Sequence, residues 1–275
     1  MRKFIRKITT SRYYADKFKQ NNKQISELYS LLADQKSKDT LSGIIKAYKT
    51  IFHTPWYYFT RIADGKCSCY HFTSKEGYKV YGTINPYFLE DIFNLNKDMI
   101  YLDGGAYIGD TIQLLNELLH GPCKYIYAFE PNDENFKTMK DSVKKYGEKV
   151  CCINSGLDDC DGIVSFLKAD AGSRVSADGT EEIMVLDAGE FLSGLTENIP
   201  TFIKLDIEGK EPEVINAMDA FIKKNRPDLA VSVYHKLEDL WEIPLQIHRI
   251  NPDYKIYLRH QSNYFTETVC YATQK

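Results

Sequence analysis

Apolar side chains recur at helical spacing in two stretches near the start of the chain: Ile25, Leu28, Leu31 and Leu32, then Leu41, Ile44, Ile45 and Tyr48. That period predicts two amphipathic helices within Gln24–Ala33 and Thr40–Phe52. The polar linker Asp34–Asp39 separates them, and the aromatic run Trp56-Tyr57-Tyr58-Phe59 follows. Residues 1–84 read as a small N-terminal helical cap, and the aromatic run as core packing rather than a ligand box.

From Asn85 the rhythm changes to strand, glycine-rich turn, helix, strand. Met99–Leu102 is a short apolar strand ending in Asp103, and Thr111–Leu119 is an amphipathic helix stopped near Gly121-Pro122. Tyr125–Phe129 is a second strand. Asn132 is placed to cap a helix that runs to about Tyr146, and Val150–Ile153 is a third strand. An irregular stretch holds the polar turn Asp158–Gly162, and Ile163–Leu167 and Ile183–Leu186 read as added strands. Then come a strand at Phe202–Ile207, a helix at Glu211–Lys224, a strand at Leu229–Val233 and a helix through Arg249. Tyr254–Leu258 and Thr268–Ala272 are expected to close the sheet as a hairpin at one end. Alternating strands and helices imply a mostly parallel sheet covered on both faces. The fold class expected is therefore α/β, a Rossmann-like doubly wound domain over 85–275 with an antiparallel C-terminal hairpin.

Composition narrows the function classes. The 275 residues include 35 basic and 38 acidic side chains, a net charge of −3, which gives no footprint for nucleic acid. No apolar run approaches the ~18 residues needed to span a bilayer. The basic start Met1–Lys7 lacks the apolar stretch of a secretory signal and reads as a solvated helix end. Seven cysteines without zinc spacing read as reduced thiols in a cytoplasmic protein.

The chemistry starts at Asp103-Gly104-Gly105-Ala106-Tyr107-Ile108-Gly109-Asp110-Thr111, between the first strand and its helix. In an open α/β sheet such a turn holds a ligand at the carboxyl ends of the strands. The spacing departs from the G-x-G-x-x-G of dinucleotide sites. Asp103 would also repel a pyrophosphate, whereas S-adenosyl-L-methionine is free of phosphate and carries an ammonium and a sulfonium. Glu130, 26 residues after Gly104, can accept from both ribose hydroxyls or simply favour the following helix start beside Pro131 and Asn132. After the third strand, Leu157-Asp158-Asp159 stands where adenine is flanked, with Asp158 ahead of Asp159 as acceptor and a plain surface turn as the alternative; Ser155 is counted among the cofactor contacts.

These residues resemble the FkbM-type methyltransferases. The likeness runs through Tyr87-Phe88, the Asp103–Thr111 loop, Ala128-Phe129-Glu130-Pro131, Ile203-Lys204-Leu205-Asp206-Ile207-Glu208-Gly209-Lys210-Glu211, Val233-Tyr234-His235 and Glu267–Ala272. The resemblance implies S-adenosylmethionine as cofactor, with Asp103, Gly105, Glu130 and Asp158 among its contacts. It also implies methyl transfer to an oxygen, typically a hydroxyl of a sugar, glycan or related small-molecule acceptor.

Lys204, Asp206 and Glu208 alternate along a strand and its turn and share one face, at the predicted cleft. The bland reading is a self-neutralising Lys204–Asp206 pair. The functional one makes Asp206 the base or acceptor anchor and His235 a second choice, with an ordinary pKa suited to a proton shuttle. Asp206, Glu208 and His235 could also gather a divalent ion, but no compact ligand spacing demands one, and no metal is expected. Arg174 could reach an acceptor group. Two other readings remain open: a scaffold that binds the cofactor without transfer, and an NAD-linked oxidoreductase. A homo-oligomer is compatible with the chain.

Overall fold

The computed structural model describes residues 13–50, 86–167, 174–175, 181–260 and 266–275. The basic start, the Trp56–Phe59 run, Cys67, Cys69 and Gly172-Ser173 lie outside the described residues.

The chain builds β1 (Ile100–Gly104), β2 (Tyr125–Phe129), β3 (Val150–Ile153), β8 (Phe202–Leu205), β9 (Asp228–Ser232), β10 (Lys255–His260) and β11 (Thr268–Thr273) into one sheet. Its order is β10-β11-β9-β8-β1-β2-β3. Neighbours are parallel from β9 through β8, β1 and β2 to β3, and β11 runs antiparallel to both β9 and β10. The last strand is therefore inserted inside the sheet, one place from the edge. The cause is burial: all six residues of β11 are buried, so it needs a neighbour on each side, whereas β10 opens on exposed Lys255.

The strands alternate their side chains between two cores. Ile100, Leu102, Phe129, Ile203, Leu205, Leu229, Val231 and Ile256 fill one, while Tyr101, Ile126, Ala128, Phe202, Ala230, Val269 and Tyr271 fill the other. Runs that are apolar on both faces signal a sheet covered twice. The second core is closed by Phe88 and Phe93 and by α3 (Asp110–Leu118) and α4 (Asp133–Val143). On the first lie α5 (Ala188–Gly194), α6 (Glu211–Ala217), α7 (Asp219–Asn225) and α8 (Asp239–Ile250). The expected helix Glu211–Lys224 is kinked at Met218. Because Met218 N–H donates to Val214 and Ile222 N–H to Met218, the hydrogen-bond ladder continues across the kink.

Four further strands form a separate sheet in the order β4-β7-β5-β6: β4 (Gly156–Asp158), β5 (Gly162–Leu167), β6 (Arg174–Val175) and β7 (Glu181–Asp187). The strands expected as additions thus pair with one another, and the expected turn Asp158–Gly162 joins the end of β4 to the start of β5. Arg174 lies in β6.

Near the start, residues 13–20 are helical and α1 (Asn22–Leu31) and α2 (Gln35–Thr50) follow. Leu28, Leu32, Leu41 and Ile44 are buried in the first core, and Ala33 N–H donates to the Ile256 carbonyl on the edge strand. Arg259 of β10, 3% exposed at its side chain, grips Asp34 at 2.7 Å. Among the described residues no helix is long and apolar enough to cross a membrane.

Candidate functional site

β1 and β8 lie side by side at the centre of the sheet, and the chain winds away from them in opposite directions. This switch point opens a crevice at the carboxyl ends of the strands. The loop after β1 occupies it. Gly105 and Ala106 donate to the Phe129 carbonyl, at 3.1 and 2.8 Å, which hangs the loop on the end of β2. Gly105 takes φ 78°, and a Cβ there would stand 2.0 Å from the Asp206 carbonyl oxygen. Only glycine meets both conditions. Tyr107 (φ 49°) and Gly109 (φ 81°), the residue before α3, continue the left-handed turn and leave the Tyr107 side chain 51% exposed. Asp110 and Thr111 begin α3.

Asp103 lies at the end of β1. It is wholly buried, accepts from the Thr111 hydroxyl and pairs with Lys204 Nζ at 2.9 Å. Lys204 spends its other donors on the Gly104 and Gly105 carbonyls, at 3.1 and 2.6 Å. Burial opposes its charge, but Asp103 and then Asp206 outweigh this and raise its pKa. The charge of Asp103 is therefore matched inside the protein. The bland reading of a Lys204–Asp206 pair gives way to a Lys204–Asp103 pair, through which Lys204 clamps the glycine loop to β8.

Glu130 ends β2, 6% exposed. Its Oε2 accepts Tyr107 N–H and its Oε1 accepts Asn132 N–H, both at 2.9 Å. Burial raises its pKa against these hydrogen bonds. With the Asn135 side chain also bonded to it, the carboxylate keeps acceptor capacity for a ligand. Beyond Pro131, Asn132 caps α4 by accepting from Glu134 and Asn135 N–H, as its position in the sequence predicts. Buried Ser155 directs its hydroxyl to the carbonyls of Gly156 and Met184, at 3.0 and 3.1 Å. Asp158 is buried beside Lys210 Nζ, 2.9 Å from its Oδ1. That partner, 52 residues along the chain, was not anticipated.

The other wall is built by the turn after β8 and the end of β9. Asp206 Oδ2 accepts from Tyr87 OH at 2.7 Å and Oδ1 from Tyr234 OH at 3.0 Å. Burial pushes Asp206 up, but Lys204, His235 and the Tyr87 hydroxyl together hold it below the usual carboxylate range. A carboxylate so stabilised is a weak base, which favours the acceptor-anchor half of its expected role over the base half. His235 Nδ1 lies 3.1 Å from Glu211 Oε1, and its Nε2 is 3.4 Å from both Asp206 Oδ1 and Glu208 Oε2. Burial lowers its pKa, yet Glu211, Asp206 and Glu208 raise it to about 9. With no cation bound, these carboxylates make the ring hold its proton more tightly than the ordinary histidine expected of a shuttle. Glu208 sits in the left-handed region (φ 59°), its pKa raised by burial. Glu267 joins the group from just before β11. Burial, then the Asp206 charge, lift it to about 7.

The structure thus gathers Asp206, Glu208, His235 and Lys204 at one strand end, and Gly104–Thr111 with Glu130 at the neighbouring one. Sequence reasoning did not assign roles to Tyr87, Tyr234, Glu211 and Glu267. All four stand in the segments quoted for the resemblance, and that was the available signal.

A family model described as the methyltransferase FkbM domain matches residues 103–256, over half of the chain. The hexuronic acid methyltransferase AglP of Haloferax volcanii is 28% identical over 97 residues, covering 34% of this chain and 41% of that protein. The crystal structure of methyltransferase FkbM from Methylobacillus flagellatus KT is similar with a TM-score of 0.70 at 24% identity. It covers 94% of this chain and 60% of that one, and at that identity the likeness concerns the fold. The chain spans less than two thirds of the length of either protein.

Proposed function

The chain belongs to the FkbM methyltransferase family, and from that premise we propose that it moves a methyl group from S-adenosyl-L-methionine to a hydroxyl oxygen of a carbohydrate-like acceptor. One juxtaposition carries this reading. The glycine loop at the switch point has Glu130 on one side and, on the other, a pocket of tyrosine hydroxyls and carboxylates from Tyr87, Asp206, Tyr234 and Glu267. The hexuronic acid methyltransferase named above supports a sugar acceptor.

The donor set fits the cofactor. Glu130 has acceptor capacity left for ribose hydroxyls, and the loop lacks the phosphate-binding glycine spacing. When bound, the cofactor supplies an electrophilic methyl on a cationic sulfur. Glu130 and the turn of the glycine loop beside it would hold the nucleoside, and Asp158 its base. Lys204 fixes the loop that would carry the nucleoside by donating to its Gly104 and Gly105 carbonyls. Asp206, fixed by Tyr87 and Tyr234 and ionised at neutral pH, accepts a hydrogen bond from the acceptor hydroxyl and so aims its oxygen. Glu267, near 7, has the affinity suited to receive the proton released as the ether bond forms. Such a donor is made in the cytoplasm, where thiols stay reduced, and we place the reaction there.

The test uses the full chain, methyl-labelled cofactor and a panel of neutral and acidic sugars. Transfer yielding a methyl that survives mild alkali is expected, since ethers resist it. An alkali-labile methyl would mean an ester on a carboxylate and would overturn the hydroxyl assignment. Calorimetric binding of NAD in place of S-adenosylmethionine would remove the methyltransferase reading. Cofactor binding without transfer to any sugar would leave a scaffold.

A further inference from the structure

We propose that Asp206, Glu211 and His235 form a site for one divalent cation of the manganese class. One ligand atom from each lies within 4.8 Å of the other two. Metal–ligand bonds of about 2.1 Å set adjacent octahedral ligands about 3.0 Å apart, so the three side chains would close inward around the ion.

The second observation is the state of the buried polar atoms. His235 is 9% exposed at its side chain, and neither ring nitrogen makes an aligned hydrogen bond despite the three nearby carboxylates. Glu211 is fully buried. Its Oε1 accepts the Ile207 N–H at 2.8 Å, while its Oε2 has no hydrogen-bond partner. Buried polar atoms nearly always find partners, and those that do not call for an unseen one.

Charge points the same way. Asp206, Glu208 and Glu211 surround a single imidazole, and the nearest ammonium, Lys204, already pairs with Asp103. Excess negative charge is costly in a site largely removed from water, and a dication balances it. One imidazole and two carboxylates suit Mn2+ better than Ca2+, which takes oxygen alone, or Cu+, which prefers sulfur. Asp206, 23% exposed at its side chain, faces the cleft. The remaining coordination positions are therefore open to water or an acceptor oxygen. This site goes beyond the methyl transfer proposed above and is read independently of it.

The experiment needs neither cofactor nor acceptor. The full chain, stripped with chelator and dialysed, is titrated with Mn2+ alone while the free-ion electron paramagnetic resonance signal is followed. One saturable site per chain is expected. H235Q and E211Q should each weaken it at least tenfold, with E190Q unchanged. Should either variant fail to fold, pulsed measurements on the wild-type protein must show nitrogen coupling from one imidazole to the bound ion. No saturable binding at millimolar Mn2+, or bound Mn2+ without nitrogen coupling, overturns the site. Either result leaves the methyltransferase assignment standing.

Discussion

Replacing Lys204 with methionine keeps the bulk of the side chain but removes its charge and its three donors. The structure puts Lys204 at 2% and Asp103 at 0% side-chain exposure, 2.9 Å apart. Losing one partner of such a buried pair strands the other as an unpaired charge, at a cost of about 3–5 kcal/mol. For a protein of this size each kcal/mol moves the melting temperature by about 2–4 °C. K204M should therefore melt roughly 8–16 °C below wild type, taking ~4 kcal/mol as the midpoint. Adding D103L removes the stranded charge, and at least half of the lost stability should return. Cofactor binding should not return, because the Gly104 and Gly105 carbonyls remain without their clamp. Thermal unfolding by circular dichroism and cofactor titration by calorimetry read the two effects separately. The reasoning fails if K204M melts within about 2 °C of wild type, or if the double variant is no more stable than the single one.

Three further expectations follow from the geometry. G105A sets a Cβ against the Asp206 carbonyl and holds an L-residue at φ 78°; cofactor affinity should fall at least tenfold, and retained affinity in calorimetry would show that the loop relaxes freely. In chelator, His235 contributes through a pKa raised to about 9 from an ordinary value of 6.5. Its contribution is fully present below the unfolded value and is lost as pH rises through the folded one. Wild type should therefore lose on the order of a few kcal/mol relative to H235Q between pH 6.5 and 9; parallel stability curves across that window would refute the assignment. L28A cuts a fully buried side chain from the core shared by α1 and the sheet; denaturant melts should show a loss of about 2–5 kcal/mol in one transition, and an unchanged midpoint would show that α1 does not stabilise the sheet.

Much of the fold was legible because local rules agree with the global answer there. Tyr125–Phe129 and Val150–Ile153 match their expected bounds, since each is an unbroken apolar run whatever its partners. Asn132 caps its helix through hydrogen bonds reaching only two and three residues away. The strands expected at Ile163–Leu167 and Ile183–Leu186 form within Gly162–Leu167 and Glu181–Asp187, but that they would pair with each other and leave the central sheet was not expected. Strand existence is local, whereas pairing is a contest among distant edges.

The site divides the same way. By itself, the sequence determined which residues carry charge at the strand ends, because the order of strand, glycine loop, helix and acid is written along the chain. Only the tertiary structure decided what each charge does. Asp103 turns to Lys204 from 101 positions away, Asp206 is held by Tyr87 across 119 and by Tyr234 across 28, and His235 lies among carboxylates from the turn after β8. A carboxylate's chemistry depends on what stands within a few ångströms and on how much water is excluded. Both are properties of the packed chain, and no window of neighbouring residues contains them.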